Sequence, residues 1–572
     1  MRKGTKLIVS VTAMVMSASV LTACGGGIGG LFPDNNGPSI SSDKVQIYVG
    51  SFDGGYGQEF IRAWGAEFEK LNADREFTLP NGEKKVGVEV IPNVSSDYGA
   101  QVTSTIASSN DEIIFAEAFD YNAMRNSGLA VDITDIMKAV SPYDGKTIAS
   151  KMTADQIKFY AEDGKFYGLP QYESHYNLYY DVDLFEQNGY FFAKDGNLIK
   201  TNYKLAEAQK NLSDGPDGLS DTYDDGLPAT MDQFFVLCDK MVTDNVIPVT
   251  YAGSLQFYYN QFLMSVWANC SGYNNMYLNY TYDGMATDIV TSIGADGSVN
   301  TTSLKITPEN GYMLQKQAGK YYALKFTERL FDGTKNYLSD KCNDNAVTHI
   351  DNQDAFLKSR FSSGGGTTKP IAMTIDGAWW YNEAAETMKL MAQTVSPDCA
   401  ANVRRIGVMP LFNAAPNGQR NVLFACNYPT TIVNAKTESW KLPLVKEFLQ
   451  FAMSDWGLSK FTVTVNCPFA LKYSLTEEDE KNASYLVKAA MQYHNSSEVI
   501  YPQATSKLYK YSAVPLAGSS NLSFYSLVDQ VVSTSPSISI GQKGKSALQY
   551  FNGLADYWTK EYWGTKYGNI LN

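Results

Sequence analysis

Between Val45 and Ala116 short apolar runs alternate with amphipathic ones, and this alternation constrains the fold more than any other feature of the chain. Val45-Gln46-Ile47-Tyr48-Val49-Gly50 alternates and then meets glycine, as a strand does when it enters a loop. Phe60, Ile61, Trp64, Phe68 and Leu71 recur at helical spacing and predict an amphipathic helix. Val86 to Ile91 predicts a second strand stopped by Pro92, Tyr98 to Ala107 a helix, and Asp111 to Ala116 a third strand. Short strands joined by helices imply a parallel sheet with covered faces, and such sheets bind ligands beyond their strand C-termini. The loops Ser51–Tyr56 and Glu117–Asn122 therefore hold the first contact candidates: Ser51, Phe52 and Asp53 in one, Glu117, Phe119 and Asp120 in the other. An acidic residue in either loop could instead be only a helix cap.

The first 42 residues follow other rules. Arg2, Lys3 and Lys6 precede a short apolar run from Leu7 to Leu21, and Leu21-Thr22-Ala23-Cys24 closes it with small residues before a cysteine. Residues 1–23 thus form a secretory signal, too short and wrongly flanked to span a bilayer. The cysteine after small residues resembles the bacterial lipoprotein signal, in which Cys24 is diacylated on sulfur and becomes the mature N-terminus. An ordinary cleaved signal with an incidental cysteine is the plainer alternative. Acyl chains anchor at about 0.8 kcal/mol per buried CH₂, so several on one residue hold firmly. Residues 24–42 are rich in Gly, Pro, Asn and Ser without hydrophobic periodicity, a flexible tether. About 20 such residues span roughly 25 Å root-mean-square. The expected location is extracytoplasmic, lipid-anchored to a bacterial cell membrane.

The 572 residues are 44% hydrophobic and 19% charged, ordinary for a large folded core of two to four domains. Loss of the three leader cations takes the formal charge from −13 to −16. A surface this acidic argues against nucleic acid as a partner. Beyond Cys24 there are Cys238, Cys270, Cys342, Cys399, Cys426 and Cys467, with no CxxC and no metal-like cluster; disulfides and buried thiols are both open. His175, His349 and His494 are far apart in sequence, which makes a histidine zinc site a poor fit. Aromatics reach 13%, and rings with a polar edge suit sugar faces, although tyrosine-rich exteriors have bland causes too.

Five ordered segments carry a resemblance. They are Tyr167-Gly168-Leu169-Pro170 with Tyr179-Tyr180-Asp181-Val182-Asp183-Leu184-Phe185 and Gly189; Pro228-Ala229-Thr230-Met231-Asp232-Gln233-Phe234; Ile371 to Trp379; Ile406-Gly407-Val408-Met409-Pro410; and Leu444 to Phe451 with Ser454 and Trp456-Gly457. Their order and spacing are similar to the extracellular solute-binding proteins, carbohydrate-type family 1, that serve ATP-driven (ABC) importers. Asp181 stands where the family usually has Asn, and Met231 replaces an aromatic. Long segments at 190–225, 270–320 and 475–572 resemble the larger, oligosaccharide-type members. The resemblance implies an α/β, two-lobed periplasmic-binding-protein-like (type II) fold with an interlobe hinge and an enlarged helical C-terminal part. Lobe one is expected at 43–170 plus about 410–448, lobe two at 175–404 plus about 449–572, with crossings near 170–178, 404–412 and 445–455. It further implies a non-enzymatic monomer that captures an oligosaccharide between the lobes and docks on a membrane permease.

Within that frame Gln171, Tyr172, Glu173 and His175 fall at the first crossing, as sugar-binding groups or as hinge hydrogen bonds. Asp376, Trp379 and Trp380 end a buried-looking strand; the family position favours Trp379 as a stacking platform, and a core Trp pair is the alternative. Trp267 and Asn269 are wall candidates in lobe two, or core, and Asn427-Tyr428-Pro429 is a weaker one. Asp214, Asp217, Asp221, Asp224 and Asp225 crowd a glycine-rich loop before the P-x-T helix start. Larger members of the family carry a calcium loop there, so a structural Ca²⁺ is an expectation, against a solvated acidic turn; no cofactor is otherwise required. Two alternatives stay open: the same fold binding a peptide, polyamine or metal chelate, and a lipid-anchored glycoside hydrolase using paired carboxylates. No G-x-S-x-G, H-E-x-x-H or P-loop is present.

Overall fold

The computed structural model describes residues 41–52, 54–100, 102–117, 121–199, 211–361, 369–414, 421–425, 429–502 and 535–571. The signal, Cys24, most of the tether, Asp53, Phe119, Asp120, Cys426, Asn427 and Tyr428 lie outside them. Among the described residues no helix is long and apolar enough to cross a membrane.

Two sheets organise the chain. The first has the order Val88–Ser95, Val45–Phe52, Ile113–Ala116, Thr430–Val433, Leu169–Pro170. Its first three strands are parallel, and Thr430–Val433 returns antiparallel to both of its neighbours. The early alternation thus makes a parallel core, but the whole sheet is mixed. Pro92 does not end its strand, which runs on to Ser95. The strand lies at the sheet edge, where a missing N–H breaks no ladder. The expected helix after it forms as two short pieces, Asp97–Ala100 and Val102–Ser108.

The Glu59–Leu71 helix buries Phe60, Ile61, Trp64 and Phe68 on one stripe, while Leu71 stays exposed. Phe60 and Trp64 meet Phe461 of the Asp455–Val465 helix, and Trp64 Nε1 donates to the Gly457 carbonyl at 2.7 Å. This aromatic packing holds residues 455–465 on the first unit, although the sequence reading assigned them to lobe two. Asp479 of the Glu477–Asn482 helix joins this packing, accepting from Ser459 Oγ at 2.7 Å and from Lys460 Nζ at 2.5 Å.

The second sheet has the order Ile247–Thr250, Ile371–Gly377, Tyr176–Asp181, Ile406–Met409. Tyr176–Asp181 is antiparallel to both neighbours. The Met231–Thr243 helix starts as its sequence requires, with Thr230 and Gln233 forming a reciprocal capping box. The Gln256–Ser271 helix is buried on nearly every side. Helices at the C-terminus close over residues 308–316, where Trp563 Nε1 donates to the Pro308 carbonyl at 2.7 Å. Cys238, Cys270, Cys342, Cys399 and Cys467 are free thiols.

Candidate functional site

Strand register brings the contact loops to common edges. Ser51 pairs with Phe115, Phe115 with Thr431, and Thr431 with Leu169, so Ser51, Glu117 and Gln171 emerge along one edge of the first sheet. In the second sheet Gly377 pairs with Tyr176, which places Trp379 beside the start of the Tyr176–Asp181 strand. Residues 171–175 link the two edges, and the site is built around this crossing.

Four rings gather there. Tyr56 of the first unit lies 3.9 Å from Tyr172 of the crossing, centroid to centroid. Trp379 stands 6.2 Å from each of them and 5.4 Å from Tyr176, edge-on to the latter. Trp379 is 8% exposed. The Tyr172 hydroxyl donates to the Glu117 carboxylate. Gly55, at φ +88°, lies so near Trp379 that a Cβ would fall 2.7 Å from its ring. Asn382 Nδ2 donates to the Gly55 carbonyl, a second direct contact between the units.

The crossing is also lined by buried polar groups. Glu173 accepts from the Tyr501 hydroxyl at 2.6 Å, and His494 Nδ1 lies 3.5 Å from the same carboxylate oxygen. Burial pushes the Glu173 carboxyl up, against the opposing pull of His494 and Tyr501. Burial, with His494 nearby, holds His175 down at about 3, so it is neutral. Among the described residues Ser51 Oγ, Gln171 Oε1, Glu173 Oε2 and His175 Nδ1 are buried without a hydrogen-bond partner. Groups of this kind cost about 1–3 kcal/mol each when left unsatisfied, so their concentration at one place calls for an explanation.

A carboxylate pair flanks Trp379. Gln353 Nε2 donates to Asp376 Oδ2 at 3.2 Å and to Glu383 Oε2 at 2.8 Å. Burial, then the neighbouring Glu383, raises Asp376 well above the usual carboxylate range. Glu383 is raised by burial too, partly offset by His349 and Gln353. Gln353, Glu383, Tyr56, Tyr176, His494 and Tyr501 were not singled out as site residues from sequence. Only Tyr56, at the boundary of a marked loop, and Glu383, one helical turn past Trp379, carried any sequence signal.

Of the sequence candidates, Ser51, Glu117, Gln171, Tyr172, Glu173, Asp376 and Trp379 come together. Trp380 does not: it is fully buried against Tyr179, Phe356 and Tyr381, because successive residues leave the strand end in different directions. Trp267 is likewise buried, under the Lys320 ammonium at 4.8 Å, and forms no cleft wall. Asn269 fastens the Val422–Phe424 strand through the Val422 carbonyl and N–H. In the acidic loop the Asp217 N–H binds Asp224 at 2.9 Å, the Asp221 N–H binds Asp225 at 2.9 Å, and Ser220 binds Asp214 at 2.6 Å. The carboxylates serve the loop's own donors, those of Asp217, Asp224 and Asp225 all facing the Thr222 hydroxyl, and among the described residues no three His, Cys, Asp or Glu side chains are grouped to hold a metal ion.

No protein-family model matches the sequence, and neither does any curated protein. Solved structures do. The apo form of RafE from Streptococcus pneumoniae superposes with a TM-score of 0.51 at 13% identity, over 91% of this chain and 98% of that one. A chitin oligosaccharide binding protein superposes with a TM-score of 0.50 at 13% identity, over 90% and 98% of the respective chains. Likeness at this identity speaks for the fold, and on that ground the chain has the two-sheet α/β architecture of solute-binding proteins.

Proposed function

We propose that this chain is the lipid-anchored, substrate-binding component of an ABC importer, which holds an oligosaccharide where its two units meet and passes it to a membrane permease. The observation that carries the reading is the company of groups at the crossing. The Tyr56, Tyr172, Tyr176 and Trp379 rings offer apolar faces, and the partnerless Ser51, Gln171, Glu173 and His175 atoms offer hydrogen bonds that sugar hydroxyls can complete. One of the structures of like fold is named for binding a chitin oligosaccharide, which agrees with a sugar. The secretory leader and Cys24 support an anchored, extracytoplasmic location.

Contact with both units makes a ligand favour their approach by its differential affinity for the closed arrangement. Carboxylates beside aromatic rings also suit a polyamine cation, and titration separates the two ligand classes. Calorimetric titration of the mature protein with malto-, cello- and chito-oligosaccharides should give saturable binding. Trp379→Ala should weaken it tenfold or more, the equivalent of about 1.4 kcal/mol. Wild-type affinity in that variant would remove Trp379 from the site.

The Asp376–Glu383 pair gives the hydrolase alternative a specific basis, since glycosidases use two carboxyl groups with one pKa raised. Both groups here are tied to one Gln353 amide, an arrangement that fixes hydroxyl acceptors and spends the pair on positioning. Prolonged incubation with bound glycan should therefore yield no new reducing ends; their appearance would make the protein an enzyme.

A further inference from the structure

A cavity of about 580 Å³ opens beside the Tyr273–Thr281 helix, lined by Tyr273, Asn274, Tyr277, Asp283, Thr287 and Glu498 among others. Tyr273 and Tyr277, one helical turn apart, stack with centroids 5.3 Å apart and planes 22° from parallel. The Tyr277 hydroxyl donates to Asp155 Oδ1 at 3.0 Å. Asp155 belongs to the Ala154–Tyr160 helix of the first unit, so this bond reaches from one unit to the other and fixes the ring. Asn275 secures the cavity floor, bonding the Ser271 carbonyl and both the N–H and the hydroxyl of Thr287.

The cavity is connected to the crossing by one short strand. Glu498 at the start of Glu498–Ile500 lines the cavity, and Tyr501 just after it donates to Glu173. Three residues at roughly 3.3 Å each put the Glu498 and Tyr501 backbones about 10 Å apart, and the Tyr501 side chain spans the rest of the way to Glu173.

We infer that this cavity is an additional carbohydrate subsite, which receives outer sugar units of a longer neutral glycan whose first units occupy the crossing. The inference rests on the function proposed above. An aromatic pair already held rigid gives a stacking face with little side-chain entropy to lose. Amide, hydroxyl and carboxylate groups around it supply acceptors and donors for sugar hydroxyls. Asp283 and Glu498 in its lining, with Asp155 behind the Tyr277 hydroxyl, oppose anionic sugars, so the class is neutral glycans and not uronic-acid polymers.

The test is the dependence of affinity on glycan length. Wild-type mature protein is titrated with malto-, cello- and chito-oligosaccharides from two to six units, alongside Tyr273→Ala and Tyr273→Leu; the second variant keeps apolar bulk but removes the ring. For a ladder that binds, wild-type affinity should rise tenfold or more from the disaccharide to the hexasaccharide. Both variants should retain wild-type disaccharide affinity and lose the gain with length. Undiminished hexasaccharide affinity in the folded Tyr273→Leu variant overturns the subsite and leaves the crossing site standing, as does a wild type indifferent to length. Failure of every ladder to bind the wild type removes the crossing reading and this inference with it.

Discussion

Asp181 does two jobs that an asparagine could not combine. One carboxylate oxygen caps the Val182–Asn188 helix, accepting from the Leu184 N–H at 3.1 Å. The other binds Arg404 at 3.0 Å and Arg360 at 3.1 Å. Arg404 is 0% and Asp181 1% exposed, so the pair is fully withdrawn from water. Removing one partner from a buried pair typically costs about 3–5 kcal/mol, because the remaining charge is left uncompensated. Asp181→Asn should accordingly lower unfolding free energy by about 3 kcal/mol in urea titrations; a loss near zero would show that the cap alone matters. The departure at this position was visible in sequence, but its cause was not, since Arg404 lies more than 200 positions away along the chain. The same limit explains Trp379 and Trp380. Adjacent and chemically identical, they were indistinguishable by composition or spacing, and only the strand end aims one ring at the crossing and the other into the core.

At the scale of elements, the segment Asp214–Gly226 shows what local chemistry can and cannot announce. Its glycines at positive φ, Gly215, Gly218 and Gly226, and its aspartates do make a tight turn. Density of carboxylates says nothing of their direction, however, and here they point at the loop's own N–H and hydroxyl groups. Burial, with Asp217 next to it, pushes the Asp224 carboxyl up to about 7. A folded-state pKa above the unfolded one favours folding most below about 3.8 and progressively less as pH rises through about 7. Thermal stability should thus fall between pH 5 and pH 8, and Asp224→Asn should flatten that slope. Parallel wild-type and variant profiles by differential scanning calorimetry would assign the slope to other groups. The helix start at Thr230 was the opposite case: cap and helix are neighbours in sequence, and Thr230 and Gln233 close it with a capping box. Pro92 misled, because whether proline stops a strand depends on its place in the sheet.

For the molecule as a whole, the contact of the two units depends on how closely backbone can approach Trp379. Gly55 permits that approach, and an alanine there would meet Trp379 and Glu383 within 3 Å while also occupying a left-handed conformation. Gly55→Ala should separate the units, seen as a larger radius of gyration in solution X-ray scattering, and should weaken glycan binding in step. Unchanged scattering would place the control of closure elsewhere. The periodicities of residues 45–116 and the helix start before Met231 were set by the sequence alone, because each depends on neighbours within a few positions. Tertiary structure alone decided that residues 455–465 pack on the first unit, that Trp267 and Trp380 are core, and that Tyr501 and His494 reach Glu173. Those outcomes turn on side chains hundreds of residues apart competing for the same buried volume, and no local pattern encodes which of them wins.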